Sequence, residues 1–199
     1  MRINKMKLVD MTITQFTDTL ASDAPAPGGG SVAALCGAQA AALVAMVCRL
    51  TIGKPKYAEF EENCKIVLEK AEALKEKLIK QIDEDTEAYN KVSAAFKLPK
   101  AEEEEKKIRS AAIQEATIYA TEVPYNTMVM AKEVLELAQS IDGKSNPNTA
   151  SDLGVAVSCA KTAIKGGHLN VLINTPGIKN AEIKEKFEND AAVIGKLAE

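Results

Sequence analysis

One histidine is all that this chain of 199 residues carries, so no Ser-His-Asp arrangement can be assembled around a choice of imidazoles. His168 follows two glycines and has no His or Cys partner at metal-ligand spacing, which predicts a helix-end residue. The four cysteines, Cys36, Cys48, Cys64 and Cys159, form no CxxC pair. Free thiols in a reducing compartment, with no structural metal, are the expectation. A net charge of −3 leaves no electrostatic footprint for nucleic acid. The opening MRINKMKLVD has neither a long apolar core nor a cleavage site, so no signal peptide is expected and a cytoplasmic location follows. The β-branched runs are short and do not alternate, which argues against sheet. Tandem repeats and dividing linkers are also missing. Residues 1–199 therefore read as one all-α domain, long enough to bury a core without disulfides.

What is present is organised around Pro27-Gly28-Gly29-Gly30-Ser31 and the stretch VAALCGAQAAALVAMVCRL that follows. Three glycines free the backbone for positive φ or for close approach by another group. Ser31 is a favourable N-cap residue, so a helix is predicted from there to about Thr51. No charge occurs from Ser31 to Cys48. A helix apolar all round is buried all round. Its length raises the question of a membrane span, but it is mostly alanine and lacks the Leu/Ile/Phe density of an inserted segment. The expectation is a central helix whose small-residue ridges, Ala34-Ala38-Ala42 and Gly37-Ala41-Ala45, let other helices pack closely. The turn ahead of it offers N–H groups at a helix N-terminus, suited to an anion or carbonyl. As sequence alone, a plain tight loop is the other reading.

Elsewhere the chain reads as helices separated by turns. A short one is predicted near Thr14 to Ser22, capped by Thr12 or Thr14. A long amphipathic helix spans Tyr57 to Phe96 on the stripe Val67, Ala71, Leu74, Leu78, Ile82, Tyr89, Val92 and Phe96. The next opens near Pro99, with Glu102 to Glu105 suiting the dipole and Lys106, Lys107 and Arg109 as partners one turn on. Pro124 is expected to kink or interrupt it before it resumes to about Ile141. Two more helices are predicted, Ser151 to Lys165, stopping at Gly166-Gly167, and Asn180 to Leu197.

Several residues break these patterns. Asp85 falls in the apolar stripe, three residues after Ile82 and four before Tyr89, where a leucine belongs. A carboxylate there must be paired, hydrogen-bonded, protonated or facing a cavity, and both a structural and a functional role fit. Asn170 and Asn174 share a face if their segment is helical. Such amides either pair with a heteroaromatic ring or cross-link helices. Asn146, Asn148, Ser151 and Asp152 read mainly as a helix cap with an acidic first turn. Lys100 is one lysine among many.

Taken together, these pieces resemble the formiminotransferase-cyclodeaminase C-terminal domain family, which includes stand-alone cyclodeaminases and methenyltetrahydrofolate cyclohydrolases. The matching residues begin with Ala26-Pro27-Gly28-Gly29-Gly30-Ser31 and its Ala-rich helix, then Asp83-Glu84-Asp85-Thr86-Glu87-Ala88-Tyr89 and Leu98-Pro99-Lys100. They continue through Glu105-Lys106, Arg109, Val123-Pro124, Asn146, Ser151-Asp152-Leu153 and Asn170-Val171-Leu172-Ile173-Asn174, in order over nearly the whole chain. The resemblance implies an all-helical fold, a homodimer and a folate site along the helices, with the catalytic acid at Asp85. It carries with it Lys100 as a polar catalytic helper and Gly28, Gly29, Gly30, Ser31, Asp152, Asn170 and Asn174 as substrate-binding residues. No metal or redox cofactor is implied, and no membrane or nucleic acid. Nothing is carried over to His168. Hydrolysis of the 5,10-methenyl bridge of tetrahydrofolate to the 10-formyl compound is the first expectation, since no formiminotransferase portion accompanies the sequence. Cyclodeamination of the 5-formimino compound is the second. A non-catalytic helical dimer is the reading of a different class.

Overall fold

The computed structural model describes residues 6–199, so the amino-terminal residues 1–5 of the leader reading lie outside the described part. Among the described residues there are six α-helices and no strand. They are α1 (Ile13–Leu20), α2 (Gly29–Thr51), α3 (Glu61–Phe96), α4 (Glu103–Ser140), α5 (Ala150–Asn174) and α6 (Ala181–Gly195), with short 3₁₀ turns in the α2–α3, α4–α5 and α5–α6 connections. The all-α bundle expected from the sequence is the observed architecture.

α2 is its axis. Gly37, Ala38, Ala41, Val44, Ala45 and Cys48 are buried where α3, α4 and α5 pack around α2, and Ala34 is buried in a second, smaller cluster with Leu8 and Ile82. The absence of side chains is what allows this approach: a Cβ on Gly37 would stand 3.0 Å from Leu78 Cδ2 of α3. α2 is long and apolar enough to cross a membrane, with a mean hydropathy of 1.9 over its most apolar window, but 61% of that window is buried against the rest of the chain. It is therefore a core helix of this bundle, as expected, but not one buried all round. One stripe, Leu35, Gln39, Ala42, Met46 and Leu50, is left half-buried or exposed.

Several expectations about helix ends and breaks need correction. Ser31 does not cap α2, because the helix begins at Gly29 with Gly28 as its N-cap residue. Gly166-Gly167 does not stop α5, which runs on through both. Their role is proximity: a Cβ on Gly166 would lie 2.9 Å from Ala33 Cβ of α2, and one on Gly167 would lie 2.5 Å from Met128 Cγ of α4. Pro124 does not interrupt α4, which is helical from end to end. Proline lacks the N–H that would bond the carbonyl four residues back. Asn174 Nδ2 of α5 supplies the missing donor, reaching the Ala120 carbonyl at 2.7 Å.

Other ends follow their local chemistry. Thr12 and Gln15 form a reciprocal capping box at α1. α4 opens at Glu103 rather than near Pro99, because Glu102 and Glu105 form its capping box. Lys106 and Lys107 pair with Glu103 and Glu104, whereas Arg109 turns back and donates to the Phe96 carbonyl at 3.1 and 3.3 Å, closing the end of α3. Residues 55–60 form a 3₁₀ turn instead of the start of α3.

Candidate active site

α3 is longer than α2, and this difference makes the site. From Val67 to Ile82 its apolar stripe is buried against the core, but Tyr89 is 42% and Phe96 55% exposed, contrary to the expectation of a fully covered stripe. α2 begins at the level of Asp85, and α3 runs on past it. The N-terminus of α2 abuts the carboxylate so closely that a Cβ on Gly30 would lie 2.0 Å from Asp85 Oδ1. Glycine at 30 is needed for this approach, and not for positive φ. The described positive-φ glycines are Gly53 and Gly143, away from this turn.

A groove of about 310 Å³ opens at this junction. That volume is at the small end of the ~300–1,000 Å³ typical of ligand sites. Gly28, Gly29, Gly30, Asp85, Asn170 and Asn174 all line it, so the structure brings together residues spread over most of the chain. Ser31 stands directly behind, with its Oγ 3.0 Å from Asp85 Oδ2. The first bond within α2 runs from the Val32 N–H to the Gly28 carbonyl at 3.1 Å, leaving the N–H groups of Gly29, Gly30 and Ser31 without an intrahelical acceptor. They carry the positive end of the helix dipole to the groove. Burial pushes the Asp85 carboxyl above the usual carboxylate range, against the opposing pull of the Ser31 hydroxyl and backbone N–H. A carboxyl so placed is readier to accept and return a proton near neutrality than a solvated aspartate.

Of the two readings left open by the sequence, cross-linking of helices is observed at Asn174. Asn170 Nδ2 donates to the Gly166 carbonyl one turn back in α5 at 2.8 Å, whereas Asn174 Nδ2 donates to the Ala120 carbonyl and so ties α5 to α4. Their Oδ1 atoms have no hydrogen-bond partner among the described residues and remain as acceptors. The sequence did not single out Val92, Ala88 or Ile173 as wall residues, nor Pro25 and Ala26 at the mouth. Val92 and Ala88 had a readable signal, lying one or two turns along α3 from Asp85.

Lys100 and Asp152 are not brought to this groove. Lys100 is exposed in the α3–α4 connection. That connection begins about 16 Å along α3 from Asp85, beyond a lysine's reach. Asp152 lies in the first turn of α5, about 27 Å along that helix from Asn170, and there it suits the helix dipole. Asn146 is a structural cap: its Nδ2 donates to the Leu50 carbonyl at 3.1 Å and its Oδ1 accepts from the Asn148 N–H at 3.1 Å. His168 packs on α6, where a Cβ on Gly195 would meet its ring at 2.6 Å. It sits inside α5, not at a helix end. Among the described residues no three His, Cys, Asp or Glu side chains gather as a metal site. A larger groove of about 630 Å³ lies between α3 and α4, lined by Ala94, Ala95, Leu98, Ala112 and Tyr119. Its charged residues, Lys91, Glu115 and Glu122, are all exposed, and it has no helix N-terminus beside a buried carboxyl.

Comparison with known proteins agrees with the geometry. Residues 12–193 match the family model described as formiminotransferase-cyclodeaminase. The chain is 47% identical over 188 residues to a methenyltetrahydrofolate cyclohydrolase of Methylorubrum extorquens, covering 94% of this chain and 89% of that one. It is 31% identical over 182 residues to the formimidoyltransferase-cyclodeaminase of Rattus norvegicus, covering 92% of this chain but only 34% of that longer protein. The crystal structure of a formiminotetrahydrofolate cyclodeaminase from Thermotoga maritima superposes with a TM-score of 0.83 at 27% identity, covering 94% of this chain and 90% of that one. By family model, sequence identity and fold, the chain belongs to the formiminotransferase-cyclodeaminase family.

Proposed function

We propose that this protein is an enzyme that hydrolyses 5,10-methenyltetrahydrofolate to 10-formyltetrahydrofolate. The observation that carries this reading is the 47% identity, over 94% of the chain, to a protein named for that activity. The groove supplies compatible chemistry. The methenyl bridge is an amidinium cation, and Asp85 places a carboxylate next to it. Water adds to the bridge carbon while Asp85 takes one of its protons, which yields a neutral hydroxy adduct. Asp85 returns that proton to N5, the N5–C bond breaks, and the remaining hydroxyl proton leaves to solvent as the formyl C=O forms. One water is consumed and one proton released. The Gly29 and Gly30 N–H groups donate to the oxygen as charge develops on it. Asn170 and Asn174 Oδ1 accept from pterin N–H groups, between Tyr89, Val92 and Ile173. In this scheme Asp85 alone carries the proton, without Lys100 or Asp152, and no metal or redox cofactor enters.

The cyclodeaminase reaction is the second reading, supported by the structural likeness to the Thermotoga maritima enzyme. Purified protein given methenyltetrahydrofolate should bleach the methenyl absorbance well above the buffer rate. Given formiminotetrahydrofolate, it should generate that absorbance only if the second reading holds. Failure of both reactions sinks the assignment and favours the non-catalytic scaffold.

We further propose that two copies associate through the exposed stripe of α2. Ala38 is 5% exposed and buried within its own chain, so it does not serve as a test position. Ala42, on the open face, does. Light scattering should give a dimer, and Ala42→Glu should shift it to monomer. A monomeric, fully active parent protein contradicts this.

A further inference from the structure

Ser31 is fully buried, and its single hydroxyl proton faces two acceptors at equal distance. Oγ lies 3.0 Å from the Ile82 carbonyl and 3.0 Å from Asp85 Oδ2, with Thr86 Oγ1 at 3.5 Å. A serine hydroxyl has one proton to give and two lone pairs to receive. Both close contacts are therefore satisfied at once only when one partner donates. The Ile82 carbonyl cannot donate. Asp85 can, but only as the carboxylic acid.

We infer that the Ser31 hydroxyl is a two-position donor that follows the protonation state of Asp85. With Asp85 ionised, Ser31 O–H donates to Oδ2 in a charge-assisted bond, and the Ile82 carbonyl keeps its helical bond alone. With Asp85 protonated, the hydroxyl swings to the Ile82 carbonyl and accepts from the Asp85 O–H. The carboxyl remains bonded, and in the same place, through both halves of a proton shuttle. Ser31 is thus a positioning residue acting through Asp85, a role that rests on the reading of Asp85 as the proton carrier.

The surroundings leave this task to Ser31. α2 contributes Gly30 and Ser31 beside the carboxyl, α4 contributes Ala120, and α5 contributes Asn170 and Asn174, none of them charged. On α3 itself Asp83 Oδ1 accepts from the Leu8 N–H at 2.7 Å, Glu84 is bonded to Gln81, and Glu87 is exposed. Burial and the Ser31 contacts are the influences that set the affinity of Asp85 for its proton.

The test is to titrate the Asp85 side-chain carboxyl by carbon NMR in the resting protein, alongside the pH profile of methenyltetrahydrofolate hydrolysis. Ser31→Ala removes the donor without adding bulk, and Ser31→Thr retains it. In Ser31→Ala the carboxyl titration should move up by about one pH unit, because a bond to the charged form is worth more than one to the neutral form. The acid limb of kcat/KM should move with it, with kcat falling about tenfold and KM little changed, and Ser31→Thr should restore both. An unmoved carboxyl titration in Ser31→Ala overturns the inference, even if the variant is less stable or less active. A rise in KM alone also overturns it, by making Ser31 a substrate contact. If the titration moves and the hydrolysis profile does not, Ser31 governs Asp85 but Asp85 is not the proton carrier, and the functional reading fails instead.

Discussion

Gly30→Ala adds one methyl group at the point where α2 meets the carboxyl of Asp85. The new Cβ would lie 2.0 Å from Oδ1, 2.5 Å from Cγ and 2.8 Å from Oδ2. To restore an ordinary contact of 3.4 Å, Oδ1 must retreat by about 1.4 Å. Displacements of ~1 Å at a reacting group cost on the order of 10²-fold in rate. The side chain has room to swing towards the groove, so folding suffers little, and alanine's better helix propensity offsets part of what is lost. Hydrolysis of methenyltetrahydrofolate by Gly30→Ala should therefore fall by about 10²-fold with a melting temperature close to that of the parent. Two neighbours grade the effect. A Cβ on Gly29 meets Asn170 Nδ2 at 3.4 Å, ordinary contact, and one on Gly28 meets nothing within 4 Å. Gly28→Ala should be nearly silent and Gly29→Ala mild. Gly29→Val, which adds branches towards Asn170, should impair substrate binding more than folding. A Gly30→Ala protein with unimpaired kcat/KM would refute the argument, since it would mean that the carboxyl need not occupy its observed place.

Two further outcomes follow from the packing and the charge. Asn174→Ala leaves the Ala120 carbonyl without a donor, a loss of about 1–3 kcal/mol. In a Pro124→Ala background residue 124 regains its N–H and can bond that carbonyl itself, so Asn174→Ala should cost much less there; additive costs in thermal unfolding would disprove the link. The folded Asp85 binds its proton more tightly than the unfolded chain does. Its contribution to stability is therefore greatest below the ordinary aspartate pKa and is lost as pH rises through the raised folded value. The melting temperature of Asp85→Asn minus that of the parent should accordingly grow across that window and then level off. A difference that shrinks with rising pH would show that the carboxyl is held by an unseen cation.

The sequence was most legible where its signals are local. α2 shows itself by its lack of charge, α3 by its uninterrupted period, and Asp85 by standing where that period demands an apolar residue. The misread signals are those whose meaning depends on a partner distant in sequence. Gly166-Gly167 looks like a stop until Ala33 and Met128 are seen pressed against it. Pro124 looks like a break until Asn174 is seen to replace its missing donor. Ser31 looks like a cap, whereas its hydroxyl is committed to α3. Asp152 was grouped with Asn170 and Asn174 because one-dimensional order does not say which end of α5 reaches the groove. Asp83, a natural control for Asp85 on sequence grounds, anchors the Leu8 N–H at 2.7 Å and so carries structure of its own. Exposed Glu87 is the better control.

The central claim is that the carboxyl of Asp85 carries the proton in folate bridge hydrolysis, and Asp85→Asn tests it most directly. The amide keeps the size and much of the hydrogen bonding but cannot take a proton from water. Methenyltetrahydrofolate turnover by Asp85→Asn, measured beside Glu87→Gln and with thermal unfolding of each, should fall by about 10²-fold or more. Its melting temperature should hold or rise, because a half-buried charge has been removed, and Glu87→Gln should remain close to the parent in both respects. An Asp85→Asn protein that turns over at the parent rate but melts well below it would contradict the account and make Asp85 a structural residue.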